Sequence, residues 1–316
     1  MRKLIIRLLA VLAALIAIAL AVSYQLADGT DRKLKRPVAV SATPFVQRDI
    51  VVNGLRLRYI DEGAGPVLVF VPGLTSRIEE YDRLTAAFRG HYRVLVLDFP
   101  GSGYADKPVR QYSVAFYVAT LAAFLDALHV RECFLAGGSL GGNVVLRAAR
   151  AEPRRVRAVA AWGPGSAWEA MPKSAGLMSI VGGKALFWPT VLVQSRYWHS
   201  ANYAPAETEL REQFRYYREI MSPGFIAMYW GLAADQIGSS LFPTAPEISQ
   251  PVLLLWGDQD HGLDMGAGTR RLVNLLPRAE MRTIQGSGHA ISSERPAELE
   301  AALQEFFARQ PISSAP

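Results

Sequence analysis

The stretch that most constrains this chain is Ala136–Gly142, read Ala-Gly-Gly-Ser-Leu-Gly-Gly. It follows the apolar run Cys133-Phe134-Leu135 and precedes a helix-like stretch from Asn143 to Ala149. Ser139 therefore falls where a strand turns sharply into a helix. Gly137 and Gly141 flank it at the spacing of a nucleophile elbow, Gly-x-Ser-x-Gly. That spacing has a steric cause. Such a turn brings backbone segments close together and strains the serine's φ and ψ, so neighbouring Cβ atoms would clash. The serine hydroxyl is then held clear of the fold at the head of a helix, whose N-terminus favours developing negative charge.

Around the elbow the chain alternates strands with helices. Ile50–Val52, Asn53-Gly54 and Leu55–Ile60 form a hairpin signature, because Asn-Gly supplies the positive φ of a tight turn. Leu55, Leu57 and Tyr59 alternate with Arg56 and Arg58, which predicts a half-buried edge strand. Val67–Val71, Arg93–Leu97, the Ser139 strand, Val156–Trp162 and Val252–Trp256 are apolar runs of the kind covered on both faces, and Glu280–Ile284 reads as a last strand. Helices are predicted over Glu79–Phe88, Ser113–Leu128, Gly268–Leu276 and from Pro296 onward. This order predicts an α/β fold, doubly wound around a mostly parallel sheet. Between about 165 and 247 the alternation stops, and the stretch reads as helices and loops rich in aromatic residues. The expected organisation is a core of 45–164 and 248–312 with a helical lid of 165–247 inserted between two strands.

A serine hydroxyl is a poor nucleophile until a base takes its proton, and that base needs an orienting acid. Asp260 follows a buried strand in Trp256-Gly257-Asp258-Gln259-Asp260, and His289 follows the final strand in Gly286-Ser287-Gly288-His289. In a doubly wound sheet both positions lie with Ser139 at the carboxyl ends of strands, where ligands bind. Asp258 and Asp264 are competing carboxylates, read as loop residues. His91 and His129 read as surface, His261 as a loop or pocket residue, and His199 as a lid residue within reach of substrate. Asp98 reads as a brace for the loop around Gly101.

With these motifs in order, the chain resembles the lidded branch of the α/β-hydrolase superfamily, which includes esterases, lipases and C–C bond hydrolases. The resemblance spans about 47–309. It rests on Val71-Pro72-Gly73-Leu74, Asp98-Phe99-Pro100-Gly101-Ser102-Gly103, the Ser139 elbow, and the Asp260 and His289 loops. It implies Ser139 as nucleophile, His289 as general base and then acid, and Asp260 as orienting carboxylate. It also implies an oxyanion hole from the backbone N–H groups of Leu74 and Leu140. Many relatives carry His where Pro72 stands, a change that leaves the Leu74 N–H in place. Relatives with a carboxylate at the elbow, the epoxide hydrolases and haloalkane dehalogenases, form an alkyl-ester intermediate that Ser139 cannot. No spacing suggests a metal site or a cofactor.

Residues 1–22 read as a signal peptide or N-terminal membrane anchor, with 23–44 as a linker. Arg2, Lys3 and Arg7 precede an uninterrupted apolar run, Leu8–Val22. Counting Leu4–Ile6 brings it near the ~20 residues a bilayer needs. Ala19-Leu20-Ala21 has the small-x-small form of a cleavage site, but no polar stretch precedes it, which favours the anchor. Either way the catalytic part is expected outside the cytoplasm, although the basic Arg32–Arg36 cluster argues weakly the other way. The net charge of +6 is scattered, without a basic helix interleaved with aromatics, so the expected partners are a membrane and a small-molecule ester, not nucleic acid. Cys133, the one cysteine, reads as a small core residue. The expected activity is hydrolysis of carboxylic esters with an apolar acyl or aryl group. The alternatives are a C–C hydrolase of a vinylogous diketone and a non-catalytic binding protein that kept the fold.

Overall fold

In the computed structural model, the described residues are 42–170, 207–260 and 265–310, with 186–188, 190, 191, 199, 200 and scattered helical positions between 7 and 21. The hairpin forms as its turn residues predict. Asn53 and Gly54 both take positive φ, 51° and 77°, and join β1 (Gln47–Val52) to β2 (Leu55–Glu62) in antiparallel register, Val52 opposite Leu55. Then come β3 (Val67–Val71), α1 (Asp82–Phe88), β4 (Arg93–Leu97), α2 (Val114–Ala127), β5 (Cys133–Gly138), α3 (Leu140–Ala151) and β6 (Val156–Trp162). α4 (Glu207–Ile220) and α5 (Pro223–Ile237) lie in the insertion. β7 (Val252–Gly257), α6 (Met265–Leu275), β8 (Ala279–Ile284), the single turn α7 (Ile291–Glu294) and α8 (Pro296–Ala308) complete the chain.

The eight strands form one sheet in the order β1-β2-β4-β3-β5-β6-β7-β8. β2 is antiparallel to both neighbours, and every pair from β4 to β8 is parallel. Period-two alternation sends successive side chains to opposite faces. Val69, Val71, Leu95, Leu97 and Leu135 pack on one side with Phe124 of α2 and Val144 of α3. Leu68, Phe70, Val94, Val96 and Phe134 pack on the other with Phe88 of α1 and Phe307 of α8. Both faces are therefore covered, which is why these strands read as continuous apolar runs. The last two strands of the core come from beyond the insertion.

Two elements differ from the sequence expectation. β2 is not an edge strand; β1 takes that place, and β2 lies between β1 and β4. Arg58 is accordingly buried. Its Nε donates to Asp98 Oδ2 at 2.7 Å, and its Nη1 and Nη2 donate to the two oxygens of Glu79 at 2.7 and 2.9 Å. A charged residue within an alternating strand looks solvent-facing until its buried counter-ions, 21 and 40 residues away, are known. The helix expected over 79–88 begins with a 3-10 turn, Ile78–Tyr81, before α1. Ile78 N–H donates to Asp98 Oδ1 at 3.0 Å, which fixes the start of that turn.

Among the described residues no helix is long and apolar enough to cross a membrane. Most of the apolar run 8–22, all of the 32–36 cluster and much of the aromatic stretch 171–206 lie outside the described residues.

Candidate active site

Because β3, β5, β7 and β8 run parallel, the loops that leave them gather at one edge of the sheet. Ser139 stands between β5 and α3 with φ 54° and ψ −120°, left-handed backbone that costs a non-glycine residue about 1–3 kcal/mol. The neighbours leave no room for side chains. A Cβ on Gly141 would lie 2.0 Å from the Val71 carbonyl oxygen, and one on Gly137 2.7 Å from the Gly141 backbone. The strained turn is pinned from β6 and the loop after it. Ser139 N–H donates to the Trp162 carbonyl at 2.9 Å, and Gly165 N–H donates to the Ser139 carbonyl at 2.9 Å. Leu140 opens α3, where backbone N–H groups have no helical acceptor. The loop after β3 runs against the elbow, since a Cβ on Gly73 would come 3.8 Å from Ser139 Cβ. Leu74 follows directly.

The loops after β7 and β8 carry the other two groups. His289 Nδ1 lies 2.8 Å from Asp260 Oδ2, and the Asp260 side chain is only 2% exposed. With the carboxylate accepting at Nδ1, Nε2 is the ring nitrogen left to exchange a proton elsewhere. Asp258 has a different task. Its Oδ1 accepts from Gly286 N–H at 2.6 Å, while Gln259 N–H donates to Ser287 O at 2.9 Å, so the two loops are laced together beneath the histidine. Gly163, at φ 48°, lets the loop after β6 approach the His289 ring; a Cβ there would be 3.0 Å from its Cε1.

Ser139 and His289 both line a cleft of about 500 Å³. Its floor is Gly73–Arg77, Gly138 and Trp162, and α4 and α5 supply a wall of Glu209, Glu212, Gln213, Tyr216, Tyr217 and Tyr229. Polar contacts fasten that wall to the loop after β3. Thr75 Oγ1 and Tyr217 Oη are 3.0 Å apart, Gln213 Nε2 donates to Tyr217 Oη at 3.0 Å, and Arg77 Nη2 donates to Glu212 Oε1 at 2.6 Å. Glu80 opens onto the cleft and is exposed there, its Oε2 accepting from Ser76 Oγ. Burial pushes the Tyr217 phenol up to about 12, so it stays a neutral donor.

Ser139, His289, Leu74 and the Leu140 segment thus meet at one place, and Asp260 is in contact with His289. Asp98 braces the loop around Gly101 as expected, accepting from Tyr104 N–H at 2.8 Å. His91 and His129 are exposed, and His261 and Asp264 lie outside the described residues. His199 lines the cleft, with Nδ1 3.3 Å from the buried carboxylate of Glu294. Glu294 also accepts from Gly288 N–H at 3.0 Å and Ser200 N–H at 3.2 Å. It therefore ties the His289 loop to the insertion. Sequence reasoning missed Arg77, Glu80 and Glu294. The sequence places only the start of a helix at Glu79, and the return of α4 over the sheet is what buries Arg77 beside it. The sequence carries one usable cue, a dense set of charges just after a Pro-Gly turn.

A family model described as alpha/beta hydrolase fold matches residues 66–296. Among curated proteins, the 2-hydroxymuconate semialdehyde hydrolase of Pseudomonas sp. (strain CF600) is 26% identical over 284 residues, covering 84% of this chain and 95% of that protein. The 2-(acetamidomethylene)succinate hydrolase of Mesorhizobium japonicum is 23% identical over 264 residues, 81% of this chain and 93% of that protein. Among solved structures, a membrane phospholipase A described as a bacterial virulence factor superposes with a TM-score of 0.69 at 23% identity, covering 98% of each chain. With a family match over most of its length and the sheet order described above, this chain is a hydrolase that belongs to the α/β hydrolase fold family.

Proposed function

We propose that the chain is a serine hydrolase of carboxylic esters with an apolar acyl or aryl group. The observation that carries this reading is Ser139, held at positive φ at the mouth of β5, sharing a cleft with a histidine whose Nδ1 is engaged by a buried aspartate. In this mechanism His289 Nε2 takes the Ser139 proton as Oγ attacks the acyl carbon. The tetrahedral oxyanion rests on the Leu74 and Leu140 N–H groups. His289 then protonates the departing alcohol, and the acyl-enzyme forms. Water attacks it with the same base, releasing the acid and restoring the serine. The insertion acts as a lid, and the rings of Tyr216, Tyr217 and Tyr229 supply the apolar part of its wall. The apolar run 8–22 acts as its membrane attachment.

A second reading is C–C bond hydrolysis of a carboxylated diketone, favoured by likeness to the 2-hydroxymuconate semialdehyde hydrolase over nearly its whole length. The charges of the cleft support the ester reading over it. Among the described residues Glu80, Glu209 and Glu212 line the cleft, and its described guanidinium, Arg77, pairs with Glu212. Such a lining opposes a polyanionic substrate. A panel of p-nitrophenyl esters run beside a 2-hydroxy-6-oxodienoate separates the two. The expected result is kcat/KM at least about 100-fold higher for the best ester, roughly 2.7 kcal/mol of transition-state preference. The reverse preference would establish the C–C reading.

A further inference from the structure

The turn that carries Leu74 takes a shape its own residues disfavour. Ser76 N–H donates back to Gly73 O at 3.2 Å, which closes a turn over Gly73, Leu74, Thr75 and Ser76. Thr75 is its third residue and has φ 66°. A turn with positive φ at that position ordinarily takes glycine or asparagine there. A β-branched side chain at such a φ crowds the backbone and persists only where the surroundings hold it.

The core holds the residues on either side. Ser76 O accepts from Ser102 Oγ at 2.8 Å, and Gly73 lies close against Gly138 and Ser139. The hold on the Thr75 side chain comes from the insertion. Thr75 Oγ1 lies 3.0 Å from Tyr217 Oη, 142 residues further along the chain, and both residues are buried. Gln213, one turn earlier on α4, donates to the same phenol oxygen at 3.0 Å. The Tyr217 ring meets Phe187 edge-on, with centroids 5.4 Å apart at 87°, and packs with Phe225 at 6.2 Å. The phenol is thus a fixed post, and its hydroxyl reaches the strained residue next to Leu74 from outside the core.

We propose that Tyr217 is a positioning residue: through the Thr75 hydroxyl, α4 holds the turn that presents the Leu74 N–H, so the oxyanion hole is complete only with the insertion in place. This rests on the serine-hydrolase reading, with the Leu74 N–H as an oxyanion donor. The negative charge on that oxygen develops only in the transition state, so the contact acts on kcat and not on KM.

The test uses the full-length protein and its best p-nitrophenyl ester. Tyr217→Phe removes the hydroxyl and keeps the ring in the wall of the cleft. It should lower kcat by about 10- to 100-fold, toward the roughly 10²–10³ that loss of one oxyanion donor costs, with KM within about twofold of wild type. Affinity for an alkyl trifluoromethyl ketone, whose adduct with Ser139 places an oxyanion in the same hole, should fall by a similar factor. The decisive comparison repeats Tyr217→Phe in a Thr75→Gly background. Glycine takes φ 66° without being held, so there the same change should cost less than about threefold in kcat. Each cost is a ratio within one background, so any general effect of Thr75→Gly cancels. An equal cost in both backgrounds overturns the proposal and makes Tyr217 a packing residue of the lid. So does an unchanged kcat in Tyr217→Phe, or a loss that appears only in KM, which would mean that the hydroxyl touches substrate. Those outcomes leave the wild-type chemistry intact. A wild type that neither turns over esters nor binds the ketone would instead sink the serine-hydrolase reading, and this proposal with it.

Discussion

At the scale of single residues, placement of a charge decides its chemistry more than its identity does. Asp258 and Asp260 are two positions apart on one loop. Asp260 points into the protein against His289, while Asp258 caps the Gly286 backbone. Glu79 and Glu80 divide in the same way. Glu79 neutralises Arg58 beneath the sheet edge, and Glu80 turns to the cleft. Glu80 faces Ser76, Arg77, Glu79 and Asp98, with Tyr216 and Tyr217 above it from α4. That Ser139, Asp260 and His289 stand at one edge of the sheet was legible in the sequence, because each sits just past an apolar run and two carry glycine signatures. Arg77 and Glu80 were not. Their environment comes from α4, more than 120 residues away, and nothing local distinguishes them from a solvated face.

At the scale of elements, strands and turns followed local chemistry closely. Asn53-Gly54, the buried runs of β3, β4, β5 and β7, and the Pro296 start of α8 formed as their residues dictate. The error at β2 shows the limit. Alternating arginines look solvent-facing, whereas Arg58 is sealed between β1, β4 and the 3-10 turn by Asp98 and Glu79. Burial works against its charge, but the two carboxylates more than offset that and hold it well above the usual arginine range. The elbow is the element under most steric restriction. Gly141→Ala would drive a methyl group onto the Val71 carbonyl, 2.0 Å away, so α3 must shift or the end of β3 must yield. The expected cost is about 1–3 kcal/mol of stability, together with a large loss of kcat because the Ser139 hydroxyl moves with α3. Chemical denaturation and steady-state kinetics on one preparation check both. A variant equal to wild type in each would contradict the close approach.

At the scale of the whole molecule, one sheet supports two jobs. Its two covered faces supply the stability, and its carboxyl edge presents the strained serine, the histidine and the aspartate. The insertion returns over that edge, and its contacts with the loop after β3 close one side of the cleft. The core is split in sequence by about 80 residues, which is why the last strands became recognisable only after the alternation resumed at Val252. The proposed membrane attachment through the apolar run 8–22 has its own test. A chain beginning at Pro37 should leave the membrane fraction and keep its turnover of a soluble ester within about twofold, read by fractionation and kinetics. Persistent membrane association of the shortened chain would place the attachment elsewhere.

The most direct test of the central claim is intact-mass and peptide-mass analysis after treatment with a fluorophosphonate. One adduct is expected, on the peptide containing Ser139, and it should vanish in Ser139→Ala, which should also lose several orders of magnitude in kcat while keeping its melting temperature. An adduct at another residue, or ester turnover in Ser139→Ala equal to wild type, would show that the elbow serine is not the nucleophile.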